Sequence, residues 1–467
     1  MRATPLALII GGLCLIGTSI YVDMFWGNPG LGPLQTGGIA LGMGLLLLGV
    51  VVAFRRDHFW IIRLLQTRIA LVVFGTCFGL LAAEVALRLL DGTFGEASYH
   101  AEIEELSKRV ADPRLGYAMP SNAFGHDANG FRNANVHVRP DIVVLGDSWT
   151  WGVNAKRRQA WPARLATMTG RRVYNMGMGG FGPPQYWHLA GLAKRFAPQL
   201  VLIGLYTGND IADAANIVYT LDAYNEFRKP GHVNLGTAAA ITQKLTSMRK
   251  KTESQKARIM AEYARNHVSG WFLLLHRYSA VGRLLARAGM LPGLKLEEVE
   301  IYAEKSLAKS NPAYSIVIDD GRLRTILHPA ERFLPLNLDD PHISEGLALT
   351  KHFLRRIKIL LREDDIKIMV LLLPSKELAF ADIILTNGQR ANETYANAMR
   401  MESTIRKELQ HFLKEQNIAV ADSLPIMREF LIRGVQIFPK DSESHPNPIG
   451  YDLIAKIVHK KLLELGW

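Results

Sequence analysis

From residue 142 onward, short apolar runs alternate along the chain with longer stretches of helical periodicity. The apolar runs are residues 142–145, 173–175, 200–206, 368–373 and 418–421, and the helical stretches are residues 161–168, 186–196, 347–361, 402–414 and 448–465. Such alternation is typical of βαβ units, in which helices join parallel strands and cover both faces of the sheet. The sequence therefore predicts a three-layer α/β domain with a parallel sheet.

Polar or glycine-rich residues follow three of these predicted strands. Gly146, Asp147 and Ser148 follow the first, the glycine-rich residues 175–182 follow the second, and Asn209 lies just after the third. The carboxyl ends of parallel strands meet at one edge of a sheet, where open α/β sheets bind their ligands. We therefore expect Ser148 and Asn209 to lie near each other and near the glycine-rich turn.

A histidine motif precedes the last predicted helix. It reads His-Pro-Asn-x-x-Gly and begins at His445. A histidine in this position is a candidate general base for a serine nucleophile. Phosphate binding by residues 175–182 is the rival interpretation, but the stretch lacks the Lys-Ser/Thr ending of a P-loop.

Taken together in order, the four motifs resemble those of the SGNH (GDSL-type) hydrolases. This resemblance implies a flavodoxin-like SGNH domain in which Ser148 is the nucleophile and His445 is the base. It also implies an oxyanion hole formed by the backbone N–H of Ser148, the backbone N–H of Gly180 and the side chain of Asn209. Neither a cofactor nor a metal is implied.

The acid of the expected triad departs from the family pattern. The family commonly has an aspartate three residues before the histidine, and Ser442 occupies that position here. Asp441 and Glu443 are the two acids nearby, and a loop sets no fixed spacing between an acid and a histidine. Because Asp441 closes the predicted turn 438–441, we predict Asp441 as the acid and Glu443 as the alternative.

The N-terminal region contains three long apolar stretches, residues 3–22, 30–54 and 69–87. Each approaches the ~20 residues that a helix needs to cross a bilayer. Arginines are concentrated in residues 55–68, so the positive-inside rule places that loop in the cytoplasm. The sequence thus predicts a cytoplasmic-membrane anchor of three transmembrane helices (1–91), a lead-in (92–138) and an extracytoplasmic, periplasmic-side SGNH domain (139–467).

An insertion of more than a hundred residues, at about 211–346, interrupts the predicted domain. Residues 245–265 within it are basic and helix-forming, and residues 271–285 have apolar residues at helical spacing. Long insertions at this edge of a sheet often form lids or binding elements.

Residues 371–377 end in Pro-Ser-Lys-Glu, which resembles a segment of membrane-anchored SGNH proteins. We expect Lys376 in this segment either to contact substrate or to pair with an acid.

Composition limits the other classes of function. Only two cysteines occur, Cys14 and Cys77, and both lie in the apolar N-terminal region, so the C-terminal domain has no cysteine nucleophile and no Cys-ligated zinc. The net charge of +12 is spread along the chain, and no nucleic-acid-binding motif accompanies it. We therefore expect no nucleic-acid partner.

These features predict a membrane-anchored serine esterase or O-acyltransferase. The resemblance points to acyl esters, with acetyl as the expected group, on cell-envelope or exported carbohydrate. A transferase would need a separate polytopic membrane protein to supply its acyl donor. The alternatives are a lipid esterase or lysophospholipase, and a non-catalytic glycan-binding membrane scaffold on the same fold.

Overall fold

The computed structural model describes residues 109–123, 125–230, 235–267, 296–311, 314–386 and 392–467, together with residues 12, 42–44, 46–47 and 79. The chain divides into two compact units, Met1–Ala82 and Ala83–Trp467. The parallel sheet and the helices that cover it belong to the second unit.

The predicted fold class needs a correction in its transmembrane part. Among the described residues, no helix is both long enough and apolar enough to cross a membrane. The longest of them, Leu235–His267, has 33 residues, but it is interrupted by charges such as Arg249, Lys250 and Lys251, whereas a crossing requires ~20 mostly apolar residues. The predicted spans 3–22, 30–54 and 69–87 fall outside the described residues, apart from the few positions given above. The mixed α/β domain with a parallel sheet is the part of the prediction that is supported.

The described strands and helices are numbered here in chain order. The strands are β1 (Val110–Asp112), β2 (Gly116–Ala118), β3 (Ile142–Gly146), β4 (Val173–Asn175), β5 (Leu200–Tyr206), β6 (Ile316–Asp319), β7 (Arg324–Leu327), β8 (Lys367–Leu373) and β9 (Ala419–Asp422). The helices are α1 (Ser148–Trp151), α2 (Trp161–Thr169), α3 (Pro183–Ala193), α4 (Asp210–Thr220), α5 (Leu235–His267), α6 (Leu296–Ser310), α7 (Pro329–Phe333), α8 (Pro341–Arg362), α9 (Lys376–Ala379), α10 (Ala381–Thr386), α11 (Glu393–Glu415), α12 (Leu424–Ile432) and α13 (Pro448–Glu464).

Five strands form one parallel sheet in the order β4-β3-β5-β8-β9. In chain order this is 2-1-3-4-5, the arrangement of flavodoxin-like folds, in which ligands bind where the strand order reverses. Each strand begins and ends within one residue of its predicted position. The reversal occurs at β3, the strand that leads into Ser148.

Helices cover both faces of the sheet, and the side chains of β3 show how the two cores divide. Val143 and Leu145 pack in one apolar core with residues of α3, α8 and α11. Ile142 and Val144 pack in the other with residues of α2, α12 and α13. All four side chains are fully buried, as expected for a strand covered by helices on both faces. The sheet is therefore rigidly held at the edge that carries the polar motifs.

Two antiparallel hairpins lie outside the main sheet. β1 and β2 pair within the lead-in, and β6 and β7 pair within the insertion. The insertion also contains α5, α6 and α7, and the predicted basic helix 245–265 lies inside α5. The predicted helix 271–285 falls outside the described residues.

Candidate active site

Ser148 lies where β3 ends and α1 begins, at the carboxyl edge of the sheet. The carboxylate of Asp147 accepts a hydrogen bond of 2.9 Å from the backbone N–H of Trp149 and so caps α1. Glycine is required at position 146 because a Cβ there would lie 2.1 Å from the hydroxyl oxygen of Thr150. This close turn from strand to helix leaves Ser148 half-buried at the edge of the sheet.

His445 reaches Ser148 from the far end of the chain. Its Nε2 lies 2.8 Å from Oγ of Ser148, although 297 positions separate the two residues. The loop that carries His445 is fixed by Asn447, whose side chain caps α13 by accepting from the N–H of Ile449 at 2.9 Å and donates to the carbonyl of Gln436 at 2.8 Å. The cap therefore holds the imidazole close to the hydroxyl.

Glu443 completes the chain of hydrogen bonds. Its Oε1 lies 2.6 Å from Nδ1 of His445 and also accepts from the backbone N–H of His445 at 3.2 Å. Burial would raise the pKa of Glu443, but the hydrogen bonds and charge of His445 outweigh burial and bring the pKa to about 2. An ionised carboxylate can only accept, so Nδ1 carries the proton and Nε2 presents its lone pair to Ser148.

The structure corrects the prediction that Asp441 is the acid that contacts His445. The Asp441 carboxylate accepts from the backbone N–H of Glu443 at 2.9 Å and shapes the turn before the histidine. An aspartate commonly bonds to the backbone two residues ahead. That local bond uses the short Asp441 side chain, whereas the longer side chain of Glu443 folds back to the ring of His445.

Lys376 binds the loop that carries Asp441 and Glu443, called the acid loop here. Its side chain is fully buried, and its ammonium donates to the carbonyls of Asp441 at 2.7 Å and Glu443 at 2.9 Å. Burial lowers the pKa of Lys376 to about 8. The neighbouring Glu377 pairs with Arg332 at 3.2 Å. Lys376 thus bonds to the backbone of the acid loop, a role that the sequence analysis did not identify.

The glycine-rich turn after β4 lies beside the serine. The N–H of Met178 donates to the carbonyl of Gly146 at 3.0 Å, which connects this turn to the one that carries Ser148. A Cβ added to Gly179 would lie 3.7 Å from Cβ of Ser148. Gly180, the predicted oxyanion donor, is exposed and has a φ of +75°, a conformation that glycine adopts readily.

Asn209 follows β5 and directly precedes α4 at the same edge of the sheet. Its side chain is half-buried, and its Oδ1 is buried without a hydrogen-bond partner among the described residues. The preceding carbonyl, that of Gly208, accepts a hydrogen bond of 2.9 Å from Arg332. Arg332 belongs to the insertion, so the insertion helps to fix the peptide that leads into Asn209.

Two buried aspartates, Asp147 and Asp210, lie close to Ser148 and to each other. Oγ of Ser148 lies 3.2 Å from Oδ2 of Asp147, and burial raises the pKa of Asp147 to about 6. Asp210 accepts from the backbone N–H of Tyr206 at 2.9 Å and from the hydroxyl of Tyr186 at 3.1 Å. Burial, together with the charge of Asp147, raises the pKa of Asp210 well above its usual value. Burial therefore favours the neutral form of both carboxyls, and it limits the negative charge beside Ser148.

Two residues of the lead-in also contact the site. The hydroxyl of Tyr117 donates to the carbonyl of Gly179. The guanidinium of Arg132 donates to backbone carbonyls after α1, including those of Gly152 at 2.8 Å and Ala155 at 2.7 Å. The sequence analysis did not identify either contact, because both contacts join segments that are distant along the chain.

Comparison with known proteins adds little at the level of sequence. No protein-family model matches the chain, and no curated protein matches it. Within the described part of the chain, no group of three or more His, Cys, Asp or Glu residues is arranged to hold a metal ion.

Solved structures do match. One is described as a lipolytic protein of the G-D-S-L family from Desulfitobacterium hafniense DCB-2, with 12% identity, a TM-score of 0.32 and coverage of 69% of this chain and 98% of that chain. Another is described as an acylhydrolase from Bacteroides fragilis NCTC 9343, with 11% identity, a TM-score of 0.30 and coverage of 70% of this chain and 90% of that chain. Similarities at these scores do not show what the chain does.

Proposed function

We propose that this protein is a serine esterase of the SGNH type. The observation that carries the proposal is the continuous chain of hydrogen bonds from Ser148 through His445 to Glu443, with distances of 2.8 and 2.6 Å. A hydroxyl, an imidazole and a carboxylate in this order form the arrangement that activates a serine nucleophile.

In the proposed reaction, Oγ of Ser148 attacks the carbonyl carbon of an ester while Nε2 of His445 takes its proton. Glu443 stabilises the imidazolium that forms. The negative oxygen of the tetrahedral intermediate is held by the N–H groups of Ser148 and Gly180 and by the side-chain amide of Asn209. His445 then protonates the leaving alcohol, and water attacks the acyl-enzyme by the reverse steps.

The proposed substrates are acyl esters, and acetyl esters of carbohydrate are the class that we favour. In the described part of the chain, Ser148 and His445 are half-buried and Gly180 is exposed, which supports the choice of an ester carried on a bulky polymer. Release of acetate from an acetylated polysaccharide, compared with release of fatty acid from a lysophospholipid, tests this choice. Faster release of the fatty acid would reject the carbohydrate substrate without affecting the proposed mechanism. A sugar hydroxyl in place of water would make the same acyl-enzyme a transferase.

The first prediction tests the esterase itself. We expect the full-length Ser148→Ala protein to lose at least about 10⁴-fold in turnover of p-nitrophenyl acetate, as triad serines generally do. A suitable control is Ser306→Ala, because the hydroxyl of Ser306 donates only within α6, to the carbonyl of Tyr302 at 2.8 Å. The proposal is wrong if Ser148→Ala keeps its turnover while its circular dichroism spectrum matches that of the unmodified protein.

A further inference from the structure

Tyr117 lies in β2, outside the main sheet, yet it contacts the glycine-rich turn beside Ser148. Its hydroxyl donates to the carbonyl of Gly179. Its ring packs against that of Phe181, with 5.3 Å between the ring centroids, and the guanidinium of Arg109 lies 3.9 Å from the centroid of the Tyr117 ring. The side chain is therefore held on two sides while its hydroxyl points at one peptide.

That peptide is the central one of a tight turn. The N–H of Phe181 donates to the carbonyl of Met178 at 3.2 Å, so Gly179 and Gly180 are the two central residues. The φ of +75° at Gly180 is the value that the third residue of a type II turn requires. Turns of types I and II differ mainly in the direction of this central peptide, and two adjacent glycines allow either direction at little cost.

The direction of the peptide decides where the N–H of Gly180 points. In a trans peptide the C=O and N–H point in opposite directions. A hydrogen bond that fixes the carbonyl of Gly179 toward Tyr117 therefore fixes the N–H of Gly180 away from Tyr117. Gly179 also lies close to Ser148, because a Cβ added to Gly179 would be 3.7 Å from Cβ of Ser148.

We propose that Tyr117 is a positioning residue for the oxyanion hole, because its hydroxyl holds the Gly179–Gly180 peptide with the N–H of Gly180 available to the oxyanion. The inference rests on the proposed esterase function. Tyr117 does not touch the substrate, and it acts only through the peptide that it orients. The lead-in is thereby a part of the catalytic domain and not only a connection to it.

The hydroxyl remains a donor over the whole working range of an esterase. Burial raises the pKa of Tyr117 to about 12, even though the charge of Arg109 acts in the opposite direction. The phenol is thus neutral at neutral and mildly alkaline pH. We therefore expect the contribution of Tyr117 to turnover to be the same from pH 6 to pH 9.

The test is Tyr117→Phe in the full-length protein, which removes one oxygen and keeps the ring. Removal of an oxyanion-hole donor costs ~10²–10³-fold in kcat, and since Gly180 itself remains, we expect a fall in kcat of roughly 10–100-fold. KM for p-nitrophenyl acetate should change by less than about twofold, because the oxyanion forms only in the transition state. The rate at which a phosphonate ester modifies Ser148 should fall by a similar factor.

Tyr224→Phe is the matched control. The hydroxyl of Tyr224 donates to the carbonyl of Arg114 at 2.9 Å, between β1 and β2, and so supports the same hairpin without contacting the glycine-rich turn. We expect its kcat to equal that of the unmodified protein. Equal losses in the two variants, a rise in KM in place of a fall in kcat, or an unchanged kcat in Tyr117→Phe would each overturn the inference. Activity that survives Ser148→Ala would instead overturn the proposed function.

Discussion

At the scale of single residues, two carboxylates lie within four positions of His445, and only one of them contacts its ring. Glu443 lies 2.6 Å from Nδ1, while the Asp441 carboxylate accepts from the backbone N–H of Glu443. The acid of a triad keeps the histidine in the right tautomer and stabilises the imidazolium. The two acids therefore make different contributions, which can be separated by isosteric amides.

We expect Glu443→Gln to lower kcat for p-nitrophenyl acetate by ~10²–10⁴-fold, the range for loss of a triad acid. Asp441→Asn keeps an oxygen that can accept from the N–H of Glu443, so its kcat should change by less than about threefold on the same principle. Steady-state kinetics of the two purified variants provide the measurement. If Asp441→Asn loses its turnover while Glu443→Gln keeps it, Asp441 and not Glu443 is the acid.

The sequence allowed Ser148, His445 and Asn209 to be chosen because each follows a strand or precedes a helix that is itself predictable. The structure brings Ser148 and His445 to 2.8 Å and places Asn209 at the same sheet edge. Glu443 could not be chosen on the same basis, since its position depends on how a loop folds. Lys376 fixes that loop through two carbonyls, and a contact of this kind leaves no pattern in the sequence.

At the scale of elements, the insertion supports the site through Arg332, near the end of α7. Its guanidinium donates to the carbonyl of Gly208 at 2.9 Å and pairs with Glu377 at 3.2 Å. The side chains of Arg332 and Glu377 are only 14% and 5% exposed. Loss of one partner from a buried pair costs about 3–5 kcal/mol, because the other charge stays buried alone.

We expect Arg332→Met to lower the free energy of unfolding by about 3–5 kcal/mol and also to lower kcat. The double variant Arg332→Met with Glu377→Met replaces the pair by apolar side chains and should recover most of the stability. Its kcat should stay low, because the carbonyl of Gly208 before Asn209 remains unsupported. Chemical denaturation and kinetics of the single and double variants separate the two effects. A double variant with full kcat would show that Arg332 has no part in arranging Asn209.

The strands and helices of the sheet were predictable because short apolar runs that alternate with stretches of helical periodicity specify them locally. The hairpins β1–β2 and β6–β7 were not predicted, since their strands show little apolar alternation and lie outside that repeating pattern. Contacts with other elements hold them in place. The hydroxyl of Tyr224, for example, bonds to the turn between β1 and β2.

At the scale of the whole molecule, the buried aspartates give the protein a pH dependence of stability. Burial raises the pKa of Asp147 to about 6 and that of Asp210 well above its usual value. In the unfolded chain both ionise near pH ~4. The folded protein thus binds more protons above that pH, and stability falls as the pH rises, by about 1.4 kcal/mol per pH unit for each proton. This fall ends near pH 6 for Asp147, whose folded pKa is about 6, and continues to higher pH for Asp210.

The Asp210→Asn variant should lack the part of the pH dependence of unfolding free energy that comes from Asp210. The asparagine oxygen can still accept from the N–H of Tyr206, and the amide has no charge to bury. We expect the variant and the unmodified protein to have similar free energies of unfolding near pH 4 and the variant to be the more stable one at pH 8. Urea denaturation at both pH values provides the comparison. Parallel curves for the two proteins between pH 4 and pH 8 would contradict the assignment of a raised pKa to Asp210.

Because 297 positions separate Ser148 from His445, the contact between them is expected to form late in folding. Contacts between such distant residues form late, because the loop between them must be closed first. On the proposed mechanism, we expect Ser148 to remain an ordinary alcohol during folding until β5, β8 and β9 have joined the sheet and α13 has docked. On the same mechanism, a partly folded chain cannot yet take an acyl group from an ester. In a refolding experiment, the return of turnover should lag behind the burial of tryptophan and mark the last step of assembly.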